Sequence, residues 1–315
     1  MSPPNALPAV SVVIPVFNEE AVLPELLSRL TKLFDDNPEI RWDALLVDDG
    51  SRDSSATLVR AQAARDPRFA LLEFSRNFGF QAALAAGLSH ATGDAIVTMD
   101  ADLQDPPECI PALVAAWREG AEVVRAVRRS RQETGARRLG MDVFHNFFSR
   151  VSDHPIESNA GTFGLMARLA VDALNALPER HRFFPGLRSW VGFATAEVLY
   201  DRQERAAGQP QQTLRRLVRY AFDGVFSFSY LPLRLLTYAG MFVGTAGFIL
   251  GLYYVVKRLI NIETAPTGFT TLAALVLFLG GVQLIGIGVL GEYLARVYDE
   301  VKQRPLYVLK RGPGR

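Results

Sequence analysis

The chain has 315 residues, 49% of them hydrophobic, with 34 Lys plus Arg against 33 Asp plus Glu for a net charge of +1. This composition excludes a disordered chain and offers no global electrostatic case for a nucleic-acid partner. The single cysteine, Cys109, excludes a disulfide framework and any cysteine-ligated zinc or iron–sulfur site.

Met1–Ala9 is Pro-rich and has neither a basic n-region nor an apolar h-region, so the first domain is expected to stay in the cytoplasm. Val10–Val16 is a short run rich in β-branched residues and reads as a strand, closing at Pro15 and Asn18. Leu23, Leu26, Leu27, Leu30 and Phe34 follow at helical spacing. Ala44–Val47 predicts a second strand, closed by Asp48-Asp49-Gly50-Ser51. A helix over Ser54–Arg65, a strand over Phe69–Phe74, a helix over Gln81–His90 and a strand over Ala95–Met99 come next. A helix over Ile110–Glu119 and a strand over Glu122–Val127 follow. Such alternation predicts an α/β fold with a mostly parallel sheet, whose ligands bind beyond the carboxyl ends of the strands.

Further along, Leu214, Leu217, Val218, Ala221, Phe222, Val225 and Phe226 recur at helical spacing beside Arg215, Arg216 and Arg219. This basic amphipathic helix reads either as interfacial or as packed on the α/β domain. Leu235–Val256 is an uncharged run of 22 residues, and Phe269–Gly291 an uncharged run of 23. At 1.5 Å per residue each reaches about 33 Å, enough to cross a hydrocarbon core of roughly 30 Å. Arg215, Arg216, Arg219 and Arg234 precede the first run. Arg296, Lys302, Arg304, Lys310 and Arg311 follow the second, which places both termini in the cytoplasm. The expected organisation is a catalytic domain over 1–204, an amphipathic region over 205–232, two membrane helices within 233–296 (about 235–256 and 269–293) and a cytoplasmic tail over 297–315.

The chemistry concentrates at strand ends. Asp100-Ala101-Asp102-Leu103-Gln104-Asp105-Pro106-Pro107 follows an apolar strand directly. Two carboxylates one residue apart there can share a hard divalent cation with a diphosphate, and the cation would neutralise a leaving diphosphate. The pair Asp48-Asp49 can accept from a ribose hydroxyl or an imide N–H, while Ser51 or Asp53 caps the next helix. Pro15-Val16-Phe17-Asn18-Glu19-Glu20 alone reads as a turn with acids in a helix's first turn. Arg125, Arg128, Arg129, Arg131, Arg137 and Arg138 form a basic cluster suited to a phosphate, or a solvated face. Gly286-Ile287-Gly288-Val289-Leu290-Gly291 matches a dinucleotide fingerprint but lies in an apolar run rather than after a strand. His90, His145, His154 and His181 show no metal spacing.

The three acidic motifs, in this order, resemble family 2 glycosyltransferases of the GT-A fold. Phe74-Ser75-Arg76-Asn77-Phe78-Gly79, Gln81-Ala82-Ala83, Pro178-Glu179-Arg180, Trp190-Val191-Gly192-Phe193 and Leu290-Gly291-Glu292-Tyr293 are similar to the polyprenyl-phosphate branch of that family. The resemblance covers about residues 10–310. It implies an inverting, membrane-bound enzyme that takes a sugar from a nucleotide donor, a UDP-sugar, to polyprenyl phosphate, with Mg²⁺ or Mn²⁺ as cofactor and a homo-oligomeric state. It assigns Pro15, Glu19, Asp48 and Asp49 to the nucleotide, Asp100, Asp102 and Gln104 to the metal and diphosphate, and Arg128, Arg131 and Arg138 to the lipid phosphate. The chain departs from the family pattern Ala-Gly-Asp-Phe-Arg at Thr162 and Gly164, and lacks a common Lys within Gly208–Gln212. Two rival readings stand beside it: a polysaccharide synthase, which would carry a Gln-x-x-Arg-Trp signature and more spans, and an inactive membrane scaffold.

Overall fold

The computed structural model describes residues 7–129, 160–201, 231–259 and 269–312. Chain order gives β1 (Ala9–Val16), α1 (Leu23–Asp36), β2 (Arg41–Asp48), α2 (Ser55–Arg65), β3 (Phe69–Phe74), α3 (Phe80–His90) and β4 (Ala95–Thr98). A 3₁₀ turn at Pro107–Cys109 leads into α4 (Ile110–Arg118) and β5 (Val123–Arg128). Then come β6 (Ala160–Ala167), α5 (Arg168–Asn175), α6 (Phe184–Trp190) and β7 (Thr195–Tyr200). The long helices α7 (Leu231–Leu259) and α8 (Phe269–Val301) precede a last strand, β8 (Leu309–Arg311). Two units result: Met1–Tyr220 with Arg304–Arg315, and Ala221–Gln303.

The first unit is built on an eight-stranded sheet of order β7-β5-β6-β4-β1-β2-β3-β8. Its centre, β4-β1-β2-β3, is parallel, as the alternating helices require. β6 runs antiparallel between β4 and β5, and β8 antiparallel along β3. Every residue of β1 is buried, as expected of a strand covered on both faces. Leu23, Leu26, Leu27, Leu30 and Phe34 of α1 join the main core on one face, where Phe34 stacks on Trp42 at 5.3 Å. On the other face α3 packs Ala83 and Ala86 against Leu45, Val47, Leu72 and Phe74. That approach is close at Gly87, where a Cβ would lie 2.1 Å from Cγ1 of Val13.

Pro15 is tolerated inside this central strand for a geometric reason. Val13 accepts on the β4 side, from the Met99 N–H, and Val16 accepts on the β2 side, from the Asp49 N–H. By alternation the nitrogen of Pro15 faces the β4 side, beyond Val13↔Thr98 where that pairing ends, so no ladder bond is lost.

The tail expected as a separate segment over 297–315 carries β8, a strand of the first unit's sheet. Ser75 donates its N–H to the Val308 carbonyl at 2.9 Å, and the Tyr307 ring stacks on Phe74 at 4.9 Å. A strand this short shows no sequence period. In the second unit both expected apolar helices are present. Among the described residues one stretch, Phe278–Val301, is long and apolar enough to cross a membrane, and the apolar part of α7, Leu235–Leu250, is shorter. The two-span expectation is therefore met by one span on length and composition. The amphipathic region falls almost wholly on residues 202–230, outside the described residues.

Candidate active site

The site lies where β1, β2 and β4 end. Chain order reverses between β1 and β4: β2 and β3 extend one way, β4 and β6 the other. The carboxyl ends flanking such a reversal leave an open crevice. One wall comes from the loops after β1 and β2, which hydrogen-bond to each other. The Asn18 N–H donates to Ser51 Oγ at 3.0 Å, and the Arg52 N–H returns a bond to Asn18 Oδ1 at 2.9 Å. The Glu19 N–H donates to Ser55 Oγ at 2.9 Å. The Ser54 N–H donates to Glu20 Oε2 at 2.9 Å, and the Glu20 N–H to Asp53 Oδ2 at 3.2 Å. Asn18 sits at φ 55°, a conformation that its short polar side chain accommodates.

Asp48 and Asp49 are both buried, at 4% and 3% exposure. Asp48 accepts from the Ser51 N–H at 3.3 Å on each oxygen. Asp49 accepts from the Phe78 N–H at 2.7 Å and the Gly79 N–H at 2.9 Å, and so holds the loop between β3 and α3. Burial pushes both carboxyls above the usual carboxylate range, opposed by those hydrogen bonds. Gly50 lets that loop come close: its φ is +70°, and a Cβ there would lie 2.5 Å from the Arg76 carbonyl carbon.

The other wall follows β4. Asp100, Asp102 and Gln104 are half-buried and alternate with buried Ala101, Leu103 and Asp105. Leu103 adopts φ 59°, a strained conformation for a branched side chain, and is held there by burial to 1% exposure. The turn lets the Gln104 N–H donate to Asp102 Oδ1 at 3.1 Å. Thr162 on β6 reaches across and donates its hydroxyl to Asp100 Oδ1 at 3.2 Å. Asp105, 4% exposed, accepts from the Tyr200 hydroxyl at 2.5 Å. Tyr200 in turn accepts from Nε of Arg128 at 3.3 Å. Burial, and then the Asp105 carboxylate, raises the Tyr200 phenol well above its ordinary range.

The donor set suits a hard divalent cation. Asp100 and Asp102 offer carboxylate oxygens one residue apart, and Gln104 adds an amide. Among the described residues no group of three or more His, Cys, Asp or Glu could hold a metal by itself. One or two carboxylates completed by substrate phosphates is the arrangement that Mg²⁺ favours, so the residues fit a cation that arrives with a diphosphate.

Of the residues expected at the site, Pro15, Glu19, Asp48, Asp49, Asp100, Asp102 and Gln104 lie on these strand ends or their loops, while Arg128 ends β5 and is linked to Asp105 through Tyr200. Pro15 is buried within β1. Arg131, Arg137 and Arg138 lie outside the described residues. Two further residues emerge. Thr162 stands out in sequence only as a departure from a family pattern. Arg188, on the short apolar helix α6, carries no sequence signal. Its side chain is buried, at 5% exposure, and donates to the Gly161 carbonyl at 3.1 Å. Burial, with the Arg125 charge beside it, pushes it down to about 10. Its Nη1 lies 3.4 Å from where a Cβ at Gly164 would stand, and such a Cβ would meet the Val124 carbonyl at 2.5 Å. Glycine at 164 thus accommodates the close Val124 carbonyl, with Arg188 beside it at ordinary contact distance.

Comparison with known proteins gives this crevice a family. Residues 11–174 match glycosyl transferase family 2, and residues 231–297 match the GtrB C-terminal hairpin. The chain belongs to glycosyl transferase family 2. The glycosyltransferase is 42% identical over 303 residues to a prophage bactoprenol glucosyl transferase homolog of Escherichia coli (strain K12), covering 96% of this chain and 98% of that one. It is 42% identical over 304 residues to the bactoprenol glucosyl transferase of Shigella phage SfII, again covering 96% and 98%. Among solved structures it resembles glucosyl-3-phosphoglycerate synthase from Mycobacterium tuberculosis in complex with Mn²⁺, uridine diphosphate and glucosyl-3-phosphoglycerate. The TM-score is 0.51 at 20% identity, over 70% of this chain and 78% of that one. Mannosyl-3-phosphoglycerate synthase from Rubrobacter xylanophilus gives 0.50 at 19%, over 69% and 72%. These likenesses establish the GT-A fold of the glycosyltransferase.

Proposed function

We propose that this glycosyltransferase is an inverting, membrane-bound enzyme that moves a sugar from a UDP-sugar to polyprenyl phosphate at the cytoplasmic face of the plasma membrane. The observation that carries this reading is its likeness, over 96% of its length, to proteins named as bactoprenol glucosyl transferases. The crevice supplies groups for each half of the reaction. Asp48, with Glu19 on the facing loop, receives the nucleoside; Asp49 acts on the donor through the loop that it holds at Phe78 and Gly79. Asp100, Asp102 and Gln104 hold Mg²⁺ or Mn²⁺ together with the donor diphosphate. A bound cation supplies neutralisation of charge on the leaving diphosphate.

Arg128, aided by Arg131 and Arg138, holds the lipid phosphate. An oxygen of that phosphate attacks the anomeric carbon in line. The bond from that carbon to the diphosphate oxygen breaks, its electron pair leaves with UDP, and the sugar is carried away on the lipid phosphate with inverted configuration. The nucleophile is already anionic near neutral pH, so the chemistry rests on positioning and electrostatics more than on a general base. The C-terminal hairpin keeps the enzyme at the membrane that contains its acceptor, as a homo-oligomer whose size light scattering in detergent can measure.

The test is incubation of the purified protein with labelled UDP-sugars, undecaprenyl phosphate and Mg²⁺. One UDP-sugar is expected to label the lipid fraction. Label entering a polysaccharide without a lipid-linked product would overturn the acceptor. Absence of transfer from every nucleotide sugar would leave a scaffold.

A further inference from the structure

Thr162 meets the proposed cation site from a strand that is not part of the parallel core. β6 runs antiparallel to β4 with Thr98 opposite Gly164. By two-residue alternation, Asp100 then comes opposite Thr162, with both side chains on one face. The bond from the Thr162 hydroxyl to Asp100 Oδ1, 3.2 Å long, spans 62 residues of sequence. The backbone that carries Thr162 is held from both flanks. The Thr98 hydroxyl donates to the Thr162 carbonyl, and Arg188 donates to the carbonyl of Gly161, one residue earlier, at 3.1 Å. Thr98 and Arg188 are both buried, at 1% and 5% exposure, so these anchors are shielded from competing water.

We infer that Thr162 is a positioning residue for Asp100: its hydroxyl holds one carboxylate oxygen and so sets the carboxylate plane in which the cation is bound. This rests on the reading of Asp100 and Asp102 as cation ligands. Ligating carboxylates are commonly oriented by such outer hydrogen bonds, and the partner affects both geometry and affinity. A hydroxyl suits this position because it donates a proton without adding charge. A carboxylate at 162 would set a second anion within about 3 Å of Asp100, and one of the two would tend to retain a proton. The departure from the family pattern at this position thus exchanges an acid for a neutral donor.

The test uses the full-length protein in detergent, titrated with Mn²⁺ in the presence of UDP, with free Mn²⁺ read by electron paramagnetic resonance. Thr162→Val keeps the shape and β-propensity and removes the hydroxyl. It is expected to weaken Mn²⁺ binding roughly 10- to 100-fold, while Thr162→Ser restores it. In transfer assays, Thr162→Val should raise the Mn²⁺ concentration for half-maximal rate, with most of kcat recovered at saturation. A mere loss of folded protein would lower kcat at every concentration. Mn²⁺ affinity in Thr162→Val equal to wild type would overturn the inference and leave the cation site standing. Wild-type protein without saturable Mn²⁺ binding, or Asp102→Asn binding like wild type, would overturn the cation site and the inference with it.

Discussion

At the residue scale the acidic positions divide by the work their oxygens already do. Asp49 is committed to backbone N–H groups of the β3–α3 loop, whereas Asp102 accepts from the Gln104 N–H of its own turn and lies half-buried at the crevice. As one of the two carboxylates assigned to the cation, Asp102 is the more informative position to neutralise. Asp102→Asn is nearly isosteric, and an amide oxygen can still accept from the Gln104 N–H. We expect its thermal unfolding midpoint to stay near wild type while transfer falls at least 100-fold, the order of effect expected when electrostatic stabilisation at a reacting centre is lost. EDTA should inhibit the wild type, and Mg²⁺ or Mn²⁺ should restore it. Full turnover by the variant, or in chelator, would contradict the cation assignment.

At the scale of elements, two links carry the site across the sheet. Tyr200, at the end of β7, joins Asp105 beyond β4 to Arg128 at the end of β5. Its ring is buried edge-on against Phe163 at 5.4 Å. Tyr200→Phe keeps the ring and removes one hydrogen bond from a buried carboxylate, a loss of about 1.5–3 kcal/mol. We expect a lower unfolding midpoint and a raised KM for the lipid acceptor, with the donor KM little changed; a change confined to the donor would place Arg128 on the other substrate. The second link is the tail. Tyr307 stacks on Phe74 and its hydroxyl lies 3.2 Å from Ser89 Oγ. Phe74 meets Phe78 edge-on at 5.7 Å, in the loop that Asp49 holds. Tyr307→Ala should destabilise the domain by about 0.5–1.5 kcal/mol beyond the area it uncovers, measurable by thermal unfolding, and should raise the donor KM through that loop.

At the scale of the whole molecule, the pairing of β8 with β3 constrains the topology. The residues before the hairpin and those after it belong to one folded unit, so both ends of the hairpin must lie on the same side of any membrane. A hairpin that crosses a membrane would then have to cross it an even number of times, whereas among the described residues one helical stretch qualifies by length and composition. The basic residues flanking the hairpin predict that its two ends face the cytoplasm. Single cysteines at Thr264 and Gly312, each in a Cys109→Ser background, test this with a membrane-impermeant maleimide on intact cells. Position 264 is expected to label from outside and position 312 only after lysis. Labelling of 264 only after lysis would show a hairpin that dips into the membrane without crossing it.

The sequence by itself determined the central parallel strands, the helices between them and the acidic clusters at their ends. Each of these is local: Val10–Val16 is β-branched and apolar throughout, and Asp48-Asp49-Gly50 and Asp100-Ala101-Asp102 close apolar runs within two or three residues. It also marked Thr162 and Gly164 as unusual, without saying what either touches. Only the tertiary structure decided that β6 enters antiparallel beside β4, that the tail returns as an edge strand, and that Asp49 serves a loop. The same holds for the bond of Thr162 to Asp100 and for Arg188 lying over Gly164. Those relations join residues 24 to about 240 positions apart. No periodicity spans such distances; they exist because packing one sheet face against its helices leaves a single register in which the buried polar groups of β4, β6 and α6 find partners.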